Sequence, residues 1–206
     1  VARQAASLMN KPLKELKLIT CHLGAGSSLC AVKDGKSFDT TMGFTPLTGV
    51  TMATRSGDVD VELVTYMMKK LNITDPEEMI SILTRHSGLL GISGISSDMR
   101  DVIAAKDAGN KRAQIAVTLF VKNIVRYIGQ YYAEMKGLDG IVFTAGIGEN
   151  SDVIRKLVCD ELEFMGVKLD DTLNSKGEEG FITKPDSKIA ALLVPTDEEL
   201  MISRDI

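Results

Sequence analysis

The chain has 206 residues, of which 44% are hydrophobic and 25% charged, with 18 Gly and no Trp. That is the composition of a globular protein long enough to bury a sizeable core in one large domain or two small ones. A net charge of -4, with no Lys/Arg block interleaved with aromatics, argues against nucleic acid or an anionic membrane surface as partner. No apolar run approaches the roughly 20 residues of a membrane helix, and the opening VARQAASLMNKPLKELK is amphipathic without the apolar stretch of a secretory signal, so a cytosolic setting is expected. Cys21, Cys30 and Cys159 have no C-x-x-C spacing and read as reduced core residues rather than a disulfide framework or a zinc site. With two histidines only, any metal must be held by oxygen.

In chain order, the segment Lys14 to Leu23 ends in an apolar run that stops at GAGSS, which predicts a strand running into a tight loop. Leu29 to Val32 and Lys36 to Thr41 flank Lys33-Asp34-Gly35, where Asp-Gly supplies the positive φ of a hairpin turn. From Phe44 to Gly57 turn residues dominate and an irregular loop is expected, a place where function often sits. Val61, Leu63, Val64, Met67, Met68 and Leu71 recur at helical spacing. Asp75-Pro76-Glu77-Glu78 reads as an N-cap, a proline at the first helical position and an acidic first turn, for a helix ending near Ser87-Gly88. Three glycines in SGLLGISGISSDMR break the pattern before a helix near Asp98 to Ala108. From Lys111 to Lys136, Ile115, Leu119, Phe120, Asn123, Ile124, Tyr127, Ile128, Tyr131 and Met135 follow the helical period of the longest helix, stopped by Gly137. Gly140 to Ala145 reads as a buried strand running into a glycine-rich turn, GIGENS, and then a helix from about Asp152 to Leu162. A short strand pair is expected at Val167 to Leu169 and Ile189 to Val194, followed by a terminal helix with Thr196 as N-cap and Glu199 as the matching capping-box residue. With no linker and no repeat, one α/β domain is expected across residues 1–206.

Two segments, LITCHLGAGSS and IVFTAGIGENS, echo each other as apolar strands ending in G-x-G, and in an open α/β sheet such strand ends border the ligand crevice. Backbone amides of a glycine turn, free of Cβ atoms, make an anion-binding concavity to which serine hydroxyls add donors. Gly24, Gly26, Ser27 and Ser28 meet that need, the plain alternative being a hairpin connection. The turn is not a dinucleotide fingerprint, since Leu29 stands at the third glycine position, and Gly35-Lys36-Ser37 is not a P-loop, since Cys30 stands where its first glycine belongs. Arg55 in ATRSGD is suited to clamp a carboxylate or phosphoryl group, or equally to pair with Asp58 or Asp60. Glu198 and Glu199 are suited to hold Mg²⁺ through oxygen or to complement a helix dipole. His22 is either a phosphate donor or a satisfied strand histidine; His86 reads as structural.

Taken in order, CHLGAGSS, DTTMGFTPLTGVTMATRSGDVD, SGLLGISGISSDMRD, VFTAGIGENS and VPTDEEL resemble the acetate kinase family of the actin/sugar-kinase/Hsp70 superfamily. Five motifs in sequence are far more specific than any one of them, and they span nearly the whole chain. The resemblance implies an actin-like ATPase (ribonuclease H-like) fold, a mixed β-sheet flanked by helices, and reversible transfer of the ATP γ-phosphoryl group to acetate, giving acetyl phosphate and ADP with Mg²⁺ as cofactor. It implies that His22, Leu23, Gly24, Ala25, Gly26, Ser27 and Ser28 form a phosphate-binding loop. Asp98, Met99 and Arg100 would contact adenosine, and Gly146, Ile147, Gly148, Glu149 and Asn150 would line the other side of the nucleoside pocket. Arg55 would stabilise charge on the transferring phosphoryl group, and Glu198 would serve Mg²⁺ with Glu199 its capping neighbour.

Departures accompany the match. Ala25 stands where the family has Asn, removing one side-chain contact to the phosphates, and Val61 stands where a proline is usual. The N-terminal half, which in the family carries a further phosphate motif, the catalytic aspartate and the substrate-binding arginine, has no counterpart in this sequence. The resemblance therefore implies a C-terminal, nucleotide-binding half, inactive alone, whose partners are the other half and a second copy in a homodimer. Two alternatives stand beside it: half of a propionate or butyrate kinase, and a non-catalytic nucleotide-binding or dimerisation module.

Overall fold

The protein is described from a computed structural model, which describes residues 1–196. The described chain divides into two compact units, one made of Val1–Leu23, Cys30–Asp39 and the described residues from Ile128, the other of Gly24–Leu29 and Thr40–Tyr127. Helix α1 (Ala2–Leu8) is followed by strands β1 (Leu18–Leu23), β2 (Ser27–Lys33) and β3 (Lys36–Thr40). As predicted, Asp34 and Gly35 carry the β2–β3 turn at φ +53° and +76°, the paired left-handed conformation that a two-residue hairpin requires. Next come helices α2 (Val61–Leu71), α3 (Pro76–Arg85), α4 (Gly88–Ser93), α5 (Met99–Asp107) and α6 (Lys111–Met135). Strand β4 (Gly140–Thr144), helices α7 (Ala145–Asn150), α8 (Asp152–Glu161) and α9 (Asp171–Lys176), and strands β5 (Gly180–Phe181) and β6 (Ala190–Leu193) complete the described chain.

The sheet of the first unit runs β3-β2-β1-β4-β6-β5. β1, β4 and β6 are mutually parallel and β5 closes the edge antiparallel, so this is the mixed sheet of an α/β fold. All five residues of β4 are buried, as expected of a central parallel strand covered on both faces. One side chain cluster joins Ala5 and Ala6 of α1 to Leu16, Leu18, Val32, Val142, Leu192 and Val194. Each aliphatic side chain so buried contributes about 1.5–3 kcal/mol. β1 and β4 run in register from Leu18↔Gly140 to His22↔Thr144. Their carboxyl ends therefore emerge side by side, which is where the two echoing glycine segments begin.

The second unit is helical around a smaller cluster, Ile73, Met79 and Leu83 with Val64, Met67 and Met68 packed on it. Asp60 and Asp75 accept hydrogen bonds from Glu62 N and Glu77 N as the caps of α2 and α3. The stretch from 41 to 60 has no helix or strand, as expected. It is pinned by Asp58, whose Oδ1 accepts from Gly49 N at 2.8 Å while its amide donates to Gly49 O at 2.9 Å. Thr51 Oγ1 accepts from Asn123 of α6 at 2.8 Å, and Tyr127 donates to the other Asp58 oxygen.

The structure corrects several sequence expectations. SGLLGIS is helical, as α4, because Gly88 at φ +61° turns the chain into it where a Cβ would stand 2.3 Å from the Met52 carbonyl oxygen. GIGEN is likewise a helical turn rather than a loop. Val167 to Leu169 is not a strand; only Leu169 forms a bridge, to Thr183, and β6 pairs with β4 and β5. Ile115 and Leu119 of α6, and Val61, Leu63 and Leu71 of α2, are exposed. Ala113, Ala116, Val117 and Val121 fill the buried stripe of α6 instead. Cys21 and Cys159 are core residues, whereas Cys30 is half-buried with its Sγ 3.1 Å from Ser37 Oγ. The expected terminal helix lies outside the described residues.

Candidate functional site

In the second unit the turn Gly24–Ser27 closes on itself. Gly24 N donates to Gly26 O at 3.1 Å and the buried Ser27 Oγ donates to Gly24 O at 3.2 Å. Ala53 N donates to Ala25 O at 3.2 Å, which ties the turn to the irregular loop. Two residues along that loop, Arg55 lies over the turn. A Cβ added at Gly26 would stand 3.1 Å from Arg55 Nη1, so glycine is what permits the approach. Arg55 is half-buried and its polar contacts are long ones, Nη1 to Pro46 O at 3.5 Å and to Met52 Sδ at 3.7 Å. The carboxylates that the sequence offers it are committed elsewhere, Asp58 to Gly49 and Tyr127 and Asp60 to the cap of α2. Among the described residues Arg55 forms no ion pair, and its guanidinium faces a glycine turn with most of its donor capacity unspent.

Also in this unit, Asp98 caps α5 by accepting from Arg100 N at 2.8 Å, while Arg100 Nε returns to both carboxylate oxygens at 3.0 and 3.2 Å. The hydrogen bonds from the Arg100 side chain hold the Asp98 carboxyl well below the usual range, at about 2. Met99 between them is buried. Asp98 and Arg100 thus present one exposed ion pair, and Met99 belongs to the interior.

In the first unit, His22 and Thr144 are cross-strand neighbours at the ends of β1 and β4. Ala145 follows at φ +64°, a left-handed conformation costly for a residue with a Cβ. Its amide donates to Glu149 Oε1 at 2.8 Å, and the same oxygen accepts from Thr196 N at 3.0 Å and Thr196 Oγ1 at 3.1 Å. Asn150 Nδ2 donates to Gly146 O at 2.9 Å. Gly146 is exposed, and a Cβ there would meet nothing within 4 Å; at Gly148 it would lie 3.5 Å from the Phe143 carbonyl carbon and 3.6 Å from Cys21 O. The first glycine faces open space and the second packs on the strands. Thr144 Oγ1 is buried with no hydrogen-bond partner among the described residues. Burial pushes the Cys21 thiol up and the Cys159 thiol to about 12, so neither offers a thiolate at neutral pH.

Comparison with known proteins decides what these turns belong to. The model of the acetokinase family matches residues 1–204. The chain belongs to the acetokinase family. The acetate kinase of Fructilactobacillus sanfranciscensis is 58% identical over 207 residues, covering 100% of this chain and 52% of that protein. The crystal structure of Porphyromonas gingivalis acetate kinase superposes with a TM-score of 0.95 at 40% identity, over 99% of this chain and 51% of that one. A propionate kinase from Francisella tularensis does so with a TM-score of 0.91 at 38% identity, over 99% and 52%. The chain spans about half the length of the relatives it matches, and the actin-like ATPase fold of acetate kinases is its fold.

Within this acetokinase chain, the two glycine segments are differently built. His22 and Leu23 end β1 in the first unit, whereas Gly24, Ala25, Gly26, Ser27 and Ser28 join Arg55 in the second. Gly146 to Asn150 form α7 beside β4, with Glu149 Oε1 occupied internally. Glu198 and Glu199 lie outside the described residues, and among those described no cluster of acidic or imidazole groups is arranged for a metal. Sequence reasoning missed Arg155, Asn174 and Thr144. Arg155 in α8 looks like an exposed helix residue in DVIRKLVCDE, yet it is among the largest fully buried side chains of the described residues.

Proposed function

We propose that this chain is the nucleotide-binding half of an acetate kinase. In the reaction, a carboxylate oxygen of acetate attacks the γ-phosphorus of ATP. The bond from that phosphorus to the β,γ-bridging oxygen breaks, and acetyl phosphate and ADP result; the reverse step makes ATP. Arg55 is the residue of this chain that meets the developing charge. A guanidinium preorganised over a glycine turn and carrying no carboxylate offers its donors to phosphoryl oxygens without first breaking an ion pair. That single arrangement, Arg55 over Gly26, carries the proposal. Gly24 to Ser28 hold the phosphates, with backbone in place of the side-chain contact that Ala25 lacks. Gly146, Ile147, Gly148, Glu149 and Asn150 are assigned to the nucleoside, and Asp98 and Arg100 to adenosine, the buried Met99 serving to anchor them. Glu198, which lies outside the described residues, would hold Mg²⁺, and the ion would supply neutralisation of phosphate charge when bound with the nucleotide.

In-line transfer needs both reactants held, so the half alone is expected to bind nucleotide and to turn over only when the rest of the enzyme is supplied. A cytosolic homodimer is part of the same proposal. The likeness to a propionate kinase supports a second reading in which the acid is propionate. Titration of the chain with ADP and Mg²⁺ by calorimetry, beside a Gly146→Leu variant, tests the nucleotide assignment: saturable binding lost in the variant is expected, and no binding by the folded chain overturns it. Turnover compared on acetate, propionate and butyrate, with the other half supplied, identifies the acid.

A further inference from the structure

The α7 turn is short, contains two glycines and starts from a strained residue, so it does not hold its own shape. Six residues with two glycines are far below the length at which a helix is stable alone, and Ala145 sits at φ +64°. What holds it lies beneath. Arg155 Nη1 donates to Gly148 O at 2.9 Å and to Glu149 O at 2.7 Å, two successive carbonyls in the second half of the turn. The same guanidinium is clamped from behind by Asn174 of α9, Nε to Oδ1 at 2.8 Å and Nη2 to the carbonyl at 2.6 Å. Asn174 in turn donates to Asp152 O at 2.9 Å. Arg155 is 1% exposed and has no ion-pair partner among the described residues; burial lowers its pKa.

A buried cation with no ion-paired carboxylate among the described residues, only the field of Asp152, is an expensive way to fill space, and an apolar residue of similar volume would do that better. Its position has a specific use instead. Nη1 holds two successive carbonyls while Nε and Nη2 are held by Asn174, so one planar guanidinium ties the turn to α9, a span that the single ammonium of a lysine does not reproduce. A cation also complements the negative end of the turn. On the far side the Glu149 carboxylate closes the turn by accepting from Ala145 N and Thr196 N. We propose that Arg155 is a positioning residue for nucleotide binding, locking the backbone of Gly146–Asn150 into its ligand-ready shape from below. This rests on the nucleotide assignment made above.

The test uses the 206-residue chain with Arg155→Met, Arg155→Lys and Asn174→Ala, the last removing a support of the same cation while leaving both bonds to the turn in place. Three quantities are read: thermal melting, ADP affinity by calorimetry, and amide hydrogen exchange at residues 146–151. Arg155→Met is expected to lose about tenfold or more in ADP affinity, with Arg155→Lys recovering part of it and Asn174→Ala melting lower yet binding within about threefold of the parent. Exchange at 146–151 is expected to quicken in both Arg155 variants and not in Asn174→Ala. Folded Arg155 variants that bind ADP as the parent does, with exchange at 146–151 unchanged, overturn the proposal; so does a loss of affinity in Asn174→Ala equal to that of Arg155→Met, which would mark general destabilisation. Should Arg155→Met fail to fold, Arg155→Lys carries both readouts. Should the parent itself bind no ADP, the nucleotide assignment fails, and exchange in Arg155→Lys still decides whether the residue anchors the turn.

Discussion

The two glycine segments begin at neighbouring strand ends and share a sequence pattern, yet each is served by an arginine in the opposite condition. Arg55 lies half-buried over Gly26 with two long contacts. Arg155 lies fully buried under Gly148 and Glu149 with four short ones. The difference separates two jobs that a guanidinium can do. One that has spent its donors on carbonyls is part of the scaffold; one that keeps them unspent beside a glycine turn is available to an anion. Acid side chains make the same distinction, since Asp58 and Asp60 are spent on the loop and a helix cap and so leave Arg55 without an ion pair among the described residues.

The comparison breaks most sharply at Arg55. Replaced by alanine, it is expected to slow turnover about 10³-fold, some 4 kcal/mol of transition-state stabilisation, in an acetate-dependent assay with the other half of the enzyme supplied. Melting should be unchanged, because no buried group is orphaned; a fall in melting temperature without loss of turnover would exchange the roles of the two arginines. Arg155→Met should do the reverse to the fold, costing about 3 kcal/mol in denaturant unfolding as buried carbonyls of Gly148, Glu149 and Asn174 lose their donor.

Gly148→Leu against Gly146→Leu sharpens the contrast within α7. Overpacking against the β1 and β4 backbones should cost about 1–3 kcal/mol at Gly148, while Gly146→Leu projects into open space and should leave melting nearly unchanged. Thr144→Val replaces a buried hydroxyl that has no partner among the described residues with a methyl group of the same shape and should stabilise the chain by about 1 kcal/mol, read as a rise in melting temperature. The smallest effect is local. Asp98 titrates at about 2 when folded, below its ordinary 3.8. Its contribution is therefore present above pH 3.8 and is lost as pH falls towards 2. Amide exchange at the start of α5 should quicken across that window, and Asp98→Asn should flatten the response.

Much of the architecture is legible in the chain. Asp34-Gly35 specifies its hairpin, Asp75 caps its helix, and the apolar GIVFT run becomes the central strand, because caps, turns and burial periods are local rules. The helices α4, α7 and α9 are not legible: the short length of all three, and the glycines of α4 and α7, oppose helix formation, and distant contacts override that preference. Exposure of Ile115 and Leu119 was equally out of reach, since a stretch with apolar residues on several faces does not say which face its neighbours will cover.

The order of motifs identifies the family and Arg55 as the residue to watch, for these follow from residue types along one dimension. Whether a given arginine is spent or available is decided by the fold alone. It depends on which carbonyls and carboxylates arrive within 3 Å from remote parts of the chain, as Asn174 does for Arg155, and hydrogen bonds of that kind leave no period or spacing in the sequence.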